Sequence, residues 1–318
     1  MGEQPDLTTS LADWEIRRPR ILVAMQEIMG PLPGPEKRCA VDMQIEEEID
    51  VGSHVRKLIT YAAEPGSRTP AYLLVPKNGP PPGGRYPAVL CLHPTRHEGH
   101  KVVVGLADCE ERNYASELAG RGFVTLAPAY PLLANYHPDL DGLGYFSGTM
   151  KAIWDNMRGL DLLASLPEVA PHGFGAIGHS LGGHNAIYTA VFEPRIKAIV
   201  SSCGFDSFQD YMDGDITGWT QQRYMPRMKD YALADIPFDF HDLIAALAPR
   251  PCLVSAPLHD TNFKHQSVDA IAAAAAPVYA LHDASANLGV HHPDCGHTFP
   301  VDMRAMAYEL FDLELQRQ

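Results

Sequence analysis

Phe174-Gly175-Ala176-Ile177-Gly178-His179-Ser180-Leu181-Gly182-Gly183 is the stretch from which the rest of the chain is read. Phe174–Ile177 is a short apolar run that suits a buried strand, and a helical pattern follows over His184–Phe192. Between them stands G-x-S-x-G. In a strand–turn–helix setting this pattern holds its serine in a strained bend with the hydroxyl exposed. Positions 178 and 182 need glycine because a Cβ there would meet neighbouring backbone. The helix starts beside Ser180, so its free N–H groups and dipole favour negative charge developing at that point. The bare pattern also arises by chance in glycine-rich turns; the apolar strand before it and the helix after it are what make it restrictive.

Working outward, further continuous apolar runs lie at Ala88–Leu92, Val124–Ala127, Ile196–Val200, Cys252–Ala256 and Val278–Leu281. Runs without polar alternation fit parallel strands covered on both faces. Helical patterns separate them at Tyr114–Ala119, Met150–Leu166, Val268–Ala275 and Met303–Leu315. In the second of these, Met150, Ile153, Trp154, Met157 and Leu160 share one face. The alternation predicts an α/β fold, a mostly parallel doubly wound sheet with helices on both faces. Upstream, Leu11–Met29 reads as a helix stopped by Gly30-Pro31, within an N-terminal helical extension over 1–40. Gln44–Val51 and His54–Val75 read as antiparallel strands, the latter bent around Pro65-Gly66. The densest Pro/Gly stretch, Asn78–Gly84, reads as a surface turn. One insertion, 203–250, is rich in Trp, Tyr, Met and Asp. A connection this long usually carries structure or function, and it is expected to form a small helical, aromatic cap on a single domain spanning 1–318, with Trp219 and Tyr224 touching substrate.

A lone serine is a weak nucleophile at neutral pH and needs a base and an orienting acid, which should follow it in chain order. Asp260 lies just past the strand Cys252–Ala256, where sites in open α/β sheets gather. The competing role for Asp260 is to cap the next helix, and Asp283 is the alternative acid. His297, in Gly296-His297-Thr298-Phe299-Pro300 before the last helix, is the candidate base, with His291 and His292 as competitors. Leu181 and the loop His93-Pro94-Thr95-Arg96 are the candidate sources of two backbone N–H donors for an oxyanion. Pro94 has no N–H to give, which leaves Thr95 as the second donor.

Composition narrows the partners. The 318 residues are 46% hydrophobic and 20% charged, as in a folded globular enzyme. With 25 Lys+Arg against 39 Asp+Glu, the net charge is −14. That field opposes nucleic acid, and no basic stripe overrides it. No apolar run reaches the roughly 18 residues that a membrane span needs. The six cysteines form no CxxC pair, a usage that suits a reducing compartment. The acidic, polar start lacks the features of a signal peptide, so a cytoplasmic location is expected. His93, His97, His100 and Glu98 raise a metal reading, but Pro94 and Gly99 interrupt the helix it would require. No metal and no cofactor are expected.

The combination resembles the esterase branch of the α/β-hydrolases, with dienelactone hydrolase-like and acetyl xylan esterase-like proteins. Besides the elbow, the resemblance rests on Met29-Gly30-Pro31-Leu32-Pro33, Leu92-His93-Pro94-Thr95, Met150-Lys151-Ala152-Ile153-Trp154-Asp155, Ala248-Pro249-Arg250-Pro251 and Gly296–Pro300, which together span most of the chain. It implies the α/β-hydrolase fold and a serine carboxylesterase that cleaves a small-molecule or carbohydrate ester, with acetyl groups on carbohydrate as one substrate. Departures limit it. Relatives often carry His-Gly-x where this chain has His93-Pro94-Thr95. Glucuronoyl esterases carry Arg after the serine and multi-domain acetyl esterases often carry Gln, whereas here Leu181 follows. Dienelactone hydrolases proper use a cysteine nucleophile. Two other readings use the same fold: a serine peptidase or acylaminoacyl hydrolase, and a non-catalytic binding protein.

Overall fold

The structure is a computed structural model that describes residues 8–80 and 84–315. The first seven residues of the N-terminal extension and part of the turn expected over Asn78–Gly84 lie outside them. Seven helices and nine strands alternate in the described residues: α1 (Leu11–Met29), β1 (Gln44–Asp50), β2 (His54–Glu64), β3 (Ser67–Pro76), β4 (Tyr86–Leu92), α2 (Tyr114–Gly120), β5 (Val124–Pro128), α3 (Gly148–Ser165), β6 (Val169–His179), α4 (Leu181–Phe192), β7 (Ile196–Ser202), α5 (Phe240–Leu247), β8 (Cys252–Ser255), α6 (His265–Leu281), β9 (Leu288–His291) and α7 (Val301–Leu315).

All nine strands join one sheet in the order β1-β2-β3-β5-β4-β6-β7-β8-β9. The first three strands and the β3–β5 pair are antiparallel; from β5 to β9 every pair is parallel. The parallel strands β4, β5, β7 and β8 are buried along their whole length except for Lys197 in β7, which is why they read as unbroken apolar runs. On one face the core packs α1, α3, α4, α5 and α6; on the other it packs α2 and α7. This is the α/β-hydrolase architecture. From β4 the chain first crosses to β5 on one side, then returns past β4 to β6 on the other. The carboxyl ends of β4 and β6 therefore border the crevice where connections diverge, the place where open α/β sheets bind ligands.

Local chemistry explains the main elements. Ser10 caps α1 by accepting from Asp13 N, and Gly30 ends it at φ 96. On α3 the expected apolar face is buried, but so are Lys151 and Asp155. They survive burial by pairing: Lys151 reaches Asp155 and, at 3.1 Å, Glu64 of β2, while the Tyr136 hydroxyl donates to Asp155 at 2.8 Å. This network fastens the β2–β3 hairpin to the sheet's helical face.

Two sequence expectations need correction. His54–Val75 is not one bent strand but two strands paired antiparallel around the turn at Gly66, φ 80. Val278–Leu281 is not a strand; it is the last turn of α6, carried through by the alanine run before it, and the strand that pairs with β8 is Leu288–His291. A short apolar run cannot be assigned to strand or buried helix by periodicity alone, and the strand at 288–291 is brief and only half-buried. The insertion 203–250 contains short 3-10 turns between 211 and 235, with Tyr211 in the first and Trp219, Tyr224 and Tyr231 between them, followed by α5, whose apolar face belongs to the core.

Candidate active site

Ser180 joins β6 to α4 with φ 55 and ψ −121, a backbone region costly for any residue but glycine. Close packing enforces it. A Cβ on Gly178 would stand 2.1 Å from the backbone of Gly182, and one on Gly182 would stand 1.9 Å from Leu92 O. The Ser180 N–H is tied to Ser202 O at 2.8 Å. The elbow is thus clamped between the ends of β4 and β7, and Ser180 is left half-buried in a cavity of about 260 Å³.

His297 faces the same cavity. Its Nδ1 lies 2.9 Å from each Asp260 oxygen, so Nδ1–H donates to the carboxylate and the lone pair sits on Nε2. The Asp260 side chain is 1% exposed. Burial alone would push its carboxyl up; the bond from His297, the Asn262 N–H at 2.8 Å and the Cys203 thiol outweigh burial and hold it below the ordinary carboxylate value. Asp260 does not cap α6, whose N-cap is Lys264. Arg112 donates to His297 O at 3.1 Å and steadies the loop from the other side. No hydrogen bond joins His297 Nε2 to Ser180 Oγ among the described residues. Nε2 instead takes a long contact of 3.4 Å from the Asn262 amide.

The competing residues lie elsewhere. His292 is held by Ala256 O and Asp269, His291 belongs to β9, and Asp283 follows a helix and not a strand. His93 accepts from the Tyr130 N–H at 3.0 Å and is kept neutral by burial, its pKa down to about 4. His97 lies in solvent beside Glu98 at 3.2 Å, and the buried His100 ring stands 6.3 Å from that of His93.

Leu181 is the first residue of α4, so its N–H has no acceptor inside the helix. Across the cavity, the Thr95 N–H makes no hydrogen bond among the described residues, and the Thr95 hydroxyl meets the Tyr224 hydroxyl at 2.8 Å. Trp219 and Tyr224 both line the cavity from the insertion, with Tyr211 beside them. The sequence reading missed Asn262, Arg112, His179 and His184, which also line it. His179 and Asn262 stand next to predicted residues and could have been suspected; nothing in the sequence marks Arg112, which reaches the site only through folding.

No protein-family model matches the chain. YtaP of Bacillus subtilis (strain 168), a presumed hydrolase, is 24% identical over 290 residues, covering 85% of this chain and 90% of its own. Among solved structures, a glucuronoyl esterase from Solibacter usitatus aligns with a TM-score of 0.75 at 17% identity, over 98% of this chain and 97% of that one. A presumed acetyl xylan esterase from Bacteroides fragilis NCTC 9343 aligns at 0.67 and 19% identity, over 90% and 76%. The resemblance read from the sequence holds in three dimensions: these neighbours carry the names of esterases and share the α/β-hydrolase fold.

Proposed function

We propose that this α/β-hydrolase-fold chain is a serine carboxylesterase, with Ser180 as nucleophile, His297 as base and Asp260 as the acid that orients it. One observation carries the reading: a serine forced to φ 55 shares a cavity with an imidazole whose Nδ1 is held by a buried carboxylate. The Nε2 lone pair exchanges its long Asn262 contact for the Ser180 hydroxyl when substrate closes the cavity. Ser180 Oγ then attacks the ester carbonyl carbon while its proton passes to Nε2. The N–H groups of Leu181 and Thr95 stabilise the oxyanion, each contributing about 3 kcal/mol. His297 returns the proton to the leaving alcohol, and water repeats the sequence on the acyl-enzyme.

In this reading the insertion is the surface that meets substrate. Trp219, Tyr211 and Tyr224 make an aromatic wall with polar edges, a surface suited to a small or carbohydrate-borne ester. The esterase names of the structural neighbours, and the hydrolase name of the Bacillus subtilis relative, support the same reading. The reading takes carboxylic esters as substrates, acetyl esters of carbohydrate among them.

The test is labelling by a fluorophosphonate probe together with turnover of p-nitrophenyl acetate. The native chain should do both, and Ser180→Ala should lose kcat by a factor on the order of 10⁶. Retained turnover in that variant would remove Ser180 from the mechanism, and preference for an anilide over the ester would favour a peptidase.

A further inference from the structure

Ser180 is not alone in leaving a strand with a left-handed backbone. Cys203 follows β7 at φ 47, with its N–H bonded to Ser255 O at 2.8 Å. Its thiol is buried beneath the catalytic imidazole. Cys203 Sγ, one ring nitrogen of His179 and one of His297 all lie within 4.8 Å of one another, and the two imidazole rings are 4.8 Å apart, centre to centre. His179 is wholly buried; its Nδ1 meets Ser202 Oγ at 3.1 Å, and its Nε2 has no partner. A buried polar nitrogen left unpaired is costly and marks a place where a partner fits. The thiol meets Ser202 Oγ at 3.7 Å and Thr298 O at 3.4 Å, and it also hydrogen-bonds the Asp260 carboxylate that holds His297. Ester cleavage uses neither His179 Nε2 nor Cys203 Sγ.

We propose that His179, Cys203 and His297 form a binding site for a thiophilic divalent ion, best matched by Zn²⁺, whose occupation switches hydrolysis off. Two imidazoles and a thiolate are a borderline-soft donor set that selects Zn²⁺ over Mg²⁺ or Ca²⁺. Bonds of about 2.0 Å to nitrogen and 2.3 Å to sulfur place tetrahedral donors roughly 3.5 Å apart. The widest gap here must therefore close by about an ångström. His179 and Cys203 are fixed at strand ends, whereas His297 sits on a loop with its side chain 21% exposed and supplies the movement. Both histidines also line the cavity, which gives an ion its route and leaves water the fourth position.

The bonding balances simply. The S–H bond of Cys203 breaks, its proton leaves to solvent, and the sulfur pair forms the S–Zn bond. His179 and His297 each give the lone pair of the ring nitrogen turned toward the sulfur. With one ring nitrogen bound to the ion and the other carrying the proton, His297 cannot accept the Ser180 proton. The inhibition, though not the binding, rests on the esterase reading above.

Cobalt titration of the full chain tests the binding without reference to activity. Co²⁺ should produce a thiolate-to-cobalt charge-transfer band in the near ultraviolet, saturating at a single ion per chain, and Cys203→Ser should abolish it. In the ester assay Zn²⁺ should inhibit and a chelator restore the rate. Relative to each protein's own metal-free rate, Cys203→Ser should need at least about 10-fold more Zn²⁺ for half-inhibition, since losing even an outer partner of a ligand costs that much. Absence of the cobalt band overturns the site, as does Zn²⁺ inhibition unchanged in Cys203→Ser, which would place the ion on His297 alone. If the chain cleaves no ester, the cobalt band still decides the site, so the two readings fail separately.

Discussion

Gly182→Ala is the substitution in which the geometry speaks most directly to the chemistry. An added Cβ would stand 1.9 Å from Leu92 O, 2.6 Å from Leu92 C and 3.2 Å from His93 O. Real Cβ atoms do not approach closer than 3.0 Å, so the end of β4 and the start of α4 must separate by 3.0 − 1.9, about 1.1 Å. The obstacle is backbone, which cannot rotate away as a side chain would. The opening falls between the two amides assigned to the oxyanion, Leu181 on α4 and Thr95 three residues beyond Leu92. An ångström is enough to take one donor out of hydrogen-bonding range, and losing one donor lowers kcat by roughly 10²–10³. KM should change far less, because the ground-state carbonyl depends less on that hole than the tetrahedral intermediate does. Overpacking of this kind also destabilises by about 1–3 kcal/mol. Steady-state kinetics on p-nitrophenyl acetate, with urea denaturation to confirm folding, gives both numbers. A folded Gly182→Ala enzyme with kcat within threefold of native would refute the assignment of the hole to this pair of amides.

Asp260→Asn should keep the fold yet lower kcat by about 10⁴, because an amide facing Nδ1 favours the tautomer with the proton on Nε2; a loss under tenfold in a pH-rate profile would remove Asp260 from the triad. Trp219→Ala should shift kcat/KM between short and bulky esters by at least about tenfold, measured on a graded ester panel, and unchanged selectivity would mean the wall does not contact substrate. Since Trp219 is only 4% exposed, the same change should cost roughly 3–5 kcal/mol of stability. Asp206 offers a pH test: burial pushes its carboxyl from the ordinary 3.8 up to about 7, against the opposing Lys264 N–H. Between those values the folded chain holds a proton that the unfolded chain has released, so stability falls as pH rises through that window and the full cost is present above it. Asp206→Asn should therefore stabilise by an amount that grows from about pH 4 to pH 7 and then levels off, at most about 4 kcal/mol; a gain independent of pH in urea titrations would contradict this.

The elbow was legible because its constraint is local. Strand, tight turn and helix are contiguous, and glycine at 178 and 182 answers to atoms within a few residues of the turn and to the neighbouring strand end. The buried parallel strands were legible too, since cover on both faces leaves them uniformly apolar. Val278–Leu281 misled for the same reason: α6 buries Val278 and Tyr279 as completely as a strand would. Lys151 and Asp155 fall on a helix that periodicity assigns correctly, but their burial depends on Glu64 and Tyr136, partners from other elements. The aromatic insertion declared itself by composition, while the share of it that becomes core helix did not.

By itself the sequence determined that Ser180 stands on a strained strand-to-helix turn in an α/β sheet, because the residues that impose this are neighbours in the chain. Only the tertiary structure decided that Asp260, and not Asp283, holds His297. It alone brought Arg112, Asn262 and Cys203 to the same cavity wall or just behind it. Those contacts join segments as many as 185 residues apart, and their distances follow from how the strand ends converge, which no local pattern encodes.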